Sequence, residues 1–128
     1  GQSIVFTSWR HAPDEPRAPH VYRMAVDGST PQRVVAESLA TSSAARFSPD
    51  GKHLVYARGI GNGADLFRLE LATGAETRLT EDAGDGTYHG APAWSPDGRW
   101  IAAYSDRGGN AALSVFAADG SSRRVVLA

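Results

Sequence analysis

The stretches FSPDGK at 47–52 and WSPDGR at 94–99 decide the fold, because one turn signal occurs twice, at positions 47 and 94. In Ser-Pro-Asp-Gly, Pro presets φ near about −65° and Gly supplies the positive φ that closes a tight turn. An apolar run follows each turn, HLVYA at 53–57 and WIAAY at 100–104. The spacing therefore predicts a repeated strand–turn–strand unit.

Two further blocks follow each apolar run in the same order. A second strand segment ends in Asp27-Gly28, Thr73-Gly74 or Asp119-Gly120, which are typical hairpin turns. A third segment begins with Arg33, Arg78 or Arg124 and continues with apolar or β-branched residues. Each unit then has four short strands, and no stretch shows a capped helical period.

The repeat predicts an all-β fold, a β-propeller segment of about three four-stranded antiparallel blades. Residues 1–128 form one such segment, with blade 1 at about 1–35, blade 2 at about 45–80 and blade 3 at about 92–127. Blade 1 is incomplete, because GQSIVFT at 1–7 matches the run after the turn without the turn itself.

Several strands are apolar on both faces, as in Leu54-Val55-Tyr56. A sheet with one wet face alternates apolar and polar residues, whereas a sheet covered on both sides is apolar throughout. Blades stacked face to face provide that cover. The pattern therefore favours a propeller over an open meander.

Composition excludes several classes of function. The net charge of −1 provides no basic field for nucleic acid, and no apolar run approaches the ~20 residues that span a bilayer. The absence of cysteine excludes disulfides, thiolate catalysis and Cys-based zinc sites. We expect no nucleic-acid partner, no membrane insertion and no cofactor.

The stretch WSPDGRWIAAYSDR at 94–107 resembles the TolB-type propeller repeat, as does 47–80, while 1–35 matches it more weakly. The resemblance covers essentially the whole chain and implies the fold. It leaves function open, because this repeat builds the envelope protein that gives the family its name, propellers of serine peptidases, and a polysaccharide lyase.

Three functions follow from the resemblance. The first is a non-catalytic scaffold that docks a protein or peptide, in the periplasm or cell envelope, with the cytoplasm left open. The second is the accessory propeller of a prolyl-oligopeptidase or dipeptidyl-peptidase type of enzyme. The third is a lyase-like propeller with His89 in a metal site, although the equivalent loop at 36–45 offers only Glu37.

Three blades are fewer than the six or more that the family uses. A lone half-ring would expose an apolar blade surface at each end, which soluble monomers rarely do. We expect either a segment of a longer chain or a homodimer that closes a six-bladed ring.

Candidate binding residues lie in the connections at one end of the blades, which carry the longest and most variable segments. Tyr88 and His89 are candidates for a ligand-contacting pair, with a hydrogen bond from His89 to a neighbouring loop as the alternative. Trp9, Arg10 and His11 form a second candidate group, with Trp9 packed under a Pro-rich loop as the alternative. These connections were expected at 9–20, 36–45, 59–65, 81–93 and 106–112.

No catalytic constellation and no metal site are predicted. Asp50 and Asp97 are interpreted as turn residues whose carboxylates accept local backbone N–H groups. Glu81, Asp82 and Asp85 could supply oxygen ligands, but their spacing matches no complete calcium loop, which favours a solvated acidic turn.

Overall fold

The computed structural model describes residues 2–10, 18–34, 42–107 and 109–127. Their strands form a three-stranded sheet and a larger sheet, which one parallel bridge divides into two antiparallel parts. The strands in these residues are β1 Ser3–Ser8, β2 His20–Ala25, β3 Gln32–Arg33, β4 Ser42–Phe47, β5 His53–Ile60, β6 Gly63–Glu70, β7 Glu76–Arg78, β8 Tyr88–Trp94, β9 Trp100–Arg107, β10 Asn110–Ala117 and β11 Arg123–Leu127.

The sheets have the strand order of propeller blades. The first blade is β1–β2–β3, the second is β4–β5–β6–β7, and the third is β8–β9–β10–β11. A parallel bridge between Ala64 and Tyr88 joins the second and third blades. The all-β propeller segment is confirmed. The innermost strands start at Ser42 and Tyr88, a few residues before the expected 45 and 92.

The Ser-Pro-Asp-Gly turns are built alike. The hydroxyl of Ser48 donates to Asp50 (2.5 Å) and accepts the backbone N–H of His53 (2.9 Å). Ser95 and Asp97 repeat the arrangement, with a hydroxyl-to-carboxylate distance of 2.6 Å. Both aspartates therefore act as turn residues, as interpreted from the sequence.

The first and second blades meet in an apolar seam, formed by alternate residues of facing strands. Val21 and the partly buried Val5 pack in one cluster with side chains of the second blade. The second blade contributes Leu54, Tyr56, Phe67 and Leu69 to this cluster.

The second and third blades meet in a second seam, built from the opposite surface of β5 and β6. Ala57 and Leu66 pack there with Ala103 and Phe116. Consecutive residues of β5 thus pack in different seams. Leu54, Val55 and Tyr56 are all fully buried as a result. This double burial explains the uninterrupted apolar run in the sequence.

The innermost strands of the second and third blades contain the same irregularity, a β-bulge. The pairing register of β4 and of β8 shifts at a β-bulge. Ala44 and Ala91 lie in these bulges with φ of 57° and 48°, a left-handed conformation that costs an L-residue about 1–2 kcal/mol.

Two predicted loops are wrong. The segments 59–65 and 106–112 are largely strand, because β5 and β6 are joined by a two-residue turn and β9 and β10 by a similarly tight hairpin. Gly61 supplies the positive φ (57°) of the first turn. The glycines indicated tight hairpins rather than long binding loops.

The turn around Asp97 predicts an acid-sensitive contribution to stability. The Ser95 hydroxyl and the Arg99 backbone N–H lower the pKa of Asp97 from 3.8 to about 2. Because the folded pKa lies below the unfolded one, the carboxylate stabilises the fold above about pH 4, and this contribution is lost as pH falls towards about 2. Urea unfolding of Asp97→Asn across this range should show a shallower loss of stability than the parent. Ser95→Ala should behave similarly, and unchanged slopes in both would contradict the assignment.

Candidate functional site on the loop face

The candidate site lies at the end of the blades formed by the β5–β6 and β9–β10 hairpins and the 81–87 connection, here called the loop face. Tyr88 begins β8 at this face, and its side chain is 46% exposed. It borders a cavity of about 250 Å³ between the second and third blades. The cavity is lined by Ser43, Ala57, Gly59, Gly61, Asn62, Gly63, Ala64 and Tyr88.

The small residues of the hairpin allow the 81–87 connection to approach closely. A Cβ on Gly63 would lie 2.2 Å from the Thr87 carbonyl oxygen and 2.5 Å from that of Ala83. The Ala64 N–H donates to the Thr87 carbonyl (3.1 Å). The residue before Tyr88 is thus fixed against the second blade.

Asp65 holds the start of the same connection. Its carboxylate is fully buried and accepts the Thr80 hydroxyl (2.7 Å), the Ala83 N–H (3.2 Å) and the Arg78 guanidinium, whose Nε lies 3.0 Å away. A buried carboxylate needs such donors to offset its lost hydration. Asp65 therefore orients the connection that precedes Tyr88.

His89 and Asp82 form a second anchor. His89 is fully buried, and its Nε2 lies 2.6 Å from Asp82 Oδ1. Arg123 on β11 donates to the other Asp82 oxygen (2.7 Å). Burial raises the pKa of Asp82, but the hydrogen bonds from Arg123 and His89 outweigh it and leave the pKa below its ordinary value. The carboxylate ties the connection to the inner and outer strands of the third blade.

Tyr88 and His89 do not share a surface. Successive side chains of a strand point to opposite faces, so that Tyr88 faces the cavity while His89 packs edge-on against Phe116 at 5.9 Å. The hydrogen bond to a neighbouring connection, the alternative considered for His89, is the arrangement found. His89 supports the site from beneath, and Tyr88 can contact a partner.

Asp65, Asp82 and His89 bring three potential metal-ligating atoms within 4.8 Å of one another. Both carboxylates are already paired with guanidinium groups, of Arg78 and Arg123. Two neighbouring positive charges disfavour a further cation at this point. We interpret the cluster as an ion-pair network that fixes the connection.

The His89–Asp82 pair also resembles part of a catalytic triad. A triad needs a nucleophilic hydroxyl on the other ring nitrogen and access for substrate. Among the described atoms, Nδ1 of His89 has no hydrogen-bond partner, and the ring is fully buried. The pair therefore lacks the arrangement needed for acyl transfer.

The second candidate group lies after β1. Trp9 is 66% exposed, and most of the Pro-rich loop under which it was alternatively expected to pack lies outside the described residues. The Arg10 carbonyl accepts the Tyr22 hydroxyl (2.5 Å), while His11 lies outside the described residues. The cavity beside Tyr88 is lined by the second and third blades, so Trp9 and Arg10 do not border it.

Sequence reasoning missed Asp65, which organises the connection. Its signal was present: an acid among the apolar residues at the start of GADLFRLE in β6, with Arg78 and Thr80 in the closing segment of the same repeat. A charge in a strand covered on both faces requires a partner.

The comparisons with known proteins agree with this architecture. The family model of the TolB beta propeller domain matches residues 19–127. An uncharacterized protein of Agrobacterium fabrum, Atu1656, is 37% identical over 102 residues, which are 80% of this chain and 33% of that protein. The Tol-Pal system protein TolB of Francisella tularensis subsp. mediasiatica is 37% identical over 70 residues, 55% of this chain and 15% of the relative.

Solved structures are similar over the whole chain. A protein of Agrobacterium tumefaciens assigned to TolB superimposes with a TM-score of 0.81 and 29% identity, over 100% of this chain and 43% of that one. TolB of Acinetobacter baumannii gives a TM-score of 0.77 at 22% identity, over 99% and 30%, and shows the fold alone. The chain thus spans less than half of the proteins it matches. In the described residues, no helix is long and apolar enough to cross a membrane.

The close approach at Gly63 gives a stability prediction for the site. Gly63→Ala should lower the free energy of unfolding by about 2 kcal/mol or more, because its methyl group would force the 81–87 connection away from the hairpin. Gly84→Ala, where a Cβ meets open space, is the matched control and should stay within about 0.5 kcal/mol of the parent. Urea unfolding measures both. Equal effects of the two substitutions would contradict the packing described.

Proposed function

Because the chain belongs to the TolB β-propeller family, we propose that it is a non-catalytic scaffold that docks a protein or peptide on its loop face. The observation that carries the proposal is Tyr88, an exposed aromatic side chain directly after a connection that buried and partly buried hydrogen bonds hold in place. A rigid aromatic residue contributes contact area at low entropic cost, as interface hot spots do.

The surroundings of Tyr88 suit an extended peptide. The residues that line the cavity beside the ring include those of the glycine-rich hairpin, Asn62 and Ser43. Their polar groups can donate and accept hydrogen bonds with a peptide backbone. A side chain of the partner would stack on Tyr88 while its backbone follows the hairpin.

Trp9 and Arg10 provide a second contact region on the first blade. Both residue types are enriched in interface hot spots. His11 stays a candidate of this group. A partner large enough to reach both Tyr88 and Trp9 would be a folded protein rather than a short peptide.

The proposal also includes a class of partner and a cellular compartment. The Francisella relatives are named as TolB of the Tol-Pal system. We place this chain in the bacterial envelope, in the periplasm, with a protein partner. A second copy of the chain would complete a six-bladed ring, in which both copies present their loop faces at the same end.

The proposal is tested by selecting a phage-displayed peptide library against the purified chain. Binding of the enriched peptides should weaken about tenfold or more for Tyr88→Ala, since loss of a hot-spot aromatic costs more than about 1.4 kcal/mol. Val125→Ala is the matched control, because Val125 is an exposed apolar residue of the same blade that lies outside the loop-face cavity. Fluorescence anisotropy with labelled peptides gives both affinities. Peptides that bind Tyr88→Ala and the parent equally, or a selection without enrichment, would contradict the proposal.

A further inference from the structure

The third blade has an apolar surface that no described residue covers. Ile101 and Phe116 of this blade are buried on the side of the second blade, so the alternate residues point away from it. We call this opposite surface the closing face; its exposed members are Trp100, Tyr104, Leu113 and Leu127, exposed by 43, 39, 41 and 69%. A shallow cavity of about 250 Å³ lies on it. So much exposed apolar area in one place marks an interaction surface.

The repeat shows what the closing face is built to contact. Tyr104 and Leu113 form a cross-strand pair, at the positions that Ala57 and Leu66 hold one repeat earlier. In the second blade that pair is buried in the seam against Phe116 and its neighbours. The closing face is therefore the seam-forming surface of a blade whose next blade is absent from the described residues.

The first blade carries the complementary half of a seam. Phe6 and Tyr22 form a stacked cross-strand pair with ring centroids 5.9 Å apart, and Tyr56 and Phe67 repeat this pair in the second blade, also at 5.9 Å. In the second blade the pair belongs to the seam with the first blade.

Exposure differs along this half: Tyr22 is only 7% exposed, whereas the end that contains Ile4 is open. Ile4 pairs with Met24 on β2, at the positions of Leu54 and Leu69 in the second blade. Leu54 is fully buried and Leu69 is 3% exposed, whereas Ile4 is 41% exposed. We call Ile4, Phe6 and Met24 the receiving face.

The closing face differs from the internal surfaces at one polar position. Arg68 of the second blade donates to the Ala118 carbonyl of the third (2.7 Å), and Arg23 of the first lies over the Phe47 ring at 6.0 Å. Val115 holds the equivalent position in the third blade and pairs with Ala102. Arg124 on β11 is the other cross-strand partner of Val115, so a seam formed here would carry its arginine on the outer strand.

We infer that the closing face of one chain packs on the receiving face of a second copy, and that two copies joined in this way close into a ring. This deepens the ring closure proposed above by assigning its surfaces. One chain carries both halves of a heterologous contact, which closes or polymerises without any other partner. The Agrobacterium tumefaciens structure is matched over 43% of its length, so a second copy would supply nearly the chain length that completes such a protein.

The test is the mass of the purified chain at micromolar concentration, by light scattering after size exclusion. The parent should have the mass of two protomers, and Leu113→Asp should have the mass of one, because a carboxylate cannot enter an apolar seam without a partner. Val125→Asp is the matched control. Val125 is 51% exposed on β11 but pairs with Ser114, on the side of the second blade, and its variant should stay dimeric.

A cross-linking experiment guards against misfolded variants. The chain has no cysteine, so Leu113→Cys and Met24→Cys can be prepared separately and mixed with a short bismaleimide. The mixture should give a covalent dimer of one variant with the other, and Leu113→Cys with Lys52→Cys should give none. A parent of one protomer, or of more than two, would overturn the inference, as would a Leu113→Asp dimer. Peptide binding by a monomeric parent would leave the loop-face proposal standing.

Discussion

Burial of both faces of each central strand is the constraint on which this structure depends. Within the second blade, β5 and β6 contribute Tyr56 and Phe67 to one seam and Ala57 and Leu66 to the other. Each seam buries apolar area that an isolated four-stranded sheet would leave in water. This burial stabilises the fold by roughly 25 cal/mol per Å². The blades are therefore stable as a stack, and the third blade keeps one apolar face that no described residue covers.

Polar side chains lie where the seam between the second and third blades meets the loop face. They fix the position of the 81–87 connection. Asp65 and His89 are buried and Asp82 is partly buried at the junction of the second and third blades. Each of the two carboxylates also accepts a hydrogen bond from a guanidinium group. Removing the guanidinium partner of the buried Asp65 would leave an unpaired charge in the interior. Because that is energetically costly, the connection is held in one conformation. Rigidity is what presents Tyr88 in one orientation to a partner.

The repeat in the sequence was sufficient to predict the fold, because turn chemistry is local. Ser-Pro-Asp-Gly specifies its own hydrogen bonds, and those of Asp50 and Asp97 are as predicted. The positive φ of Ala44 and Ala91 could not be predicted, since alanine carries no signal for that conformation. The separation of Tyr88 from His89 follows from strand alternation, but only once β8 is known to begin at Tyr88.

The central claim is that apolar contacts across a seam couple neighbouring blades, and a double-mutant cycle tests it most directly. Leu66→Ala in the second blade and Phe116→Ala in the third should each cost about 2–5 kcal/mol in the free energy of unfolding. Since both lie in one cluster, the double variant should differ from the sum of the two by about 0.5–3 kcal/mol. Additivity within about 0.3 kcal/mol would mean that the blades do not share this seam, which would contradict the account.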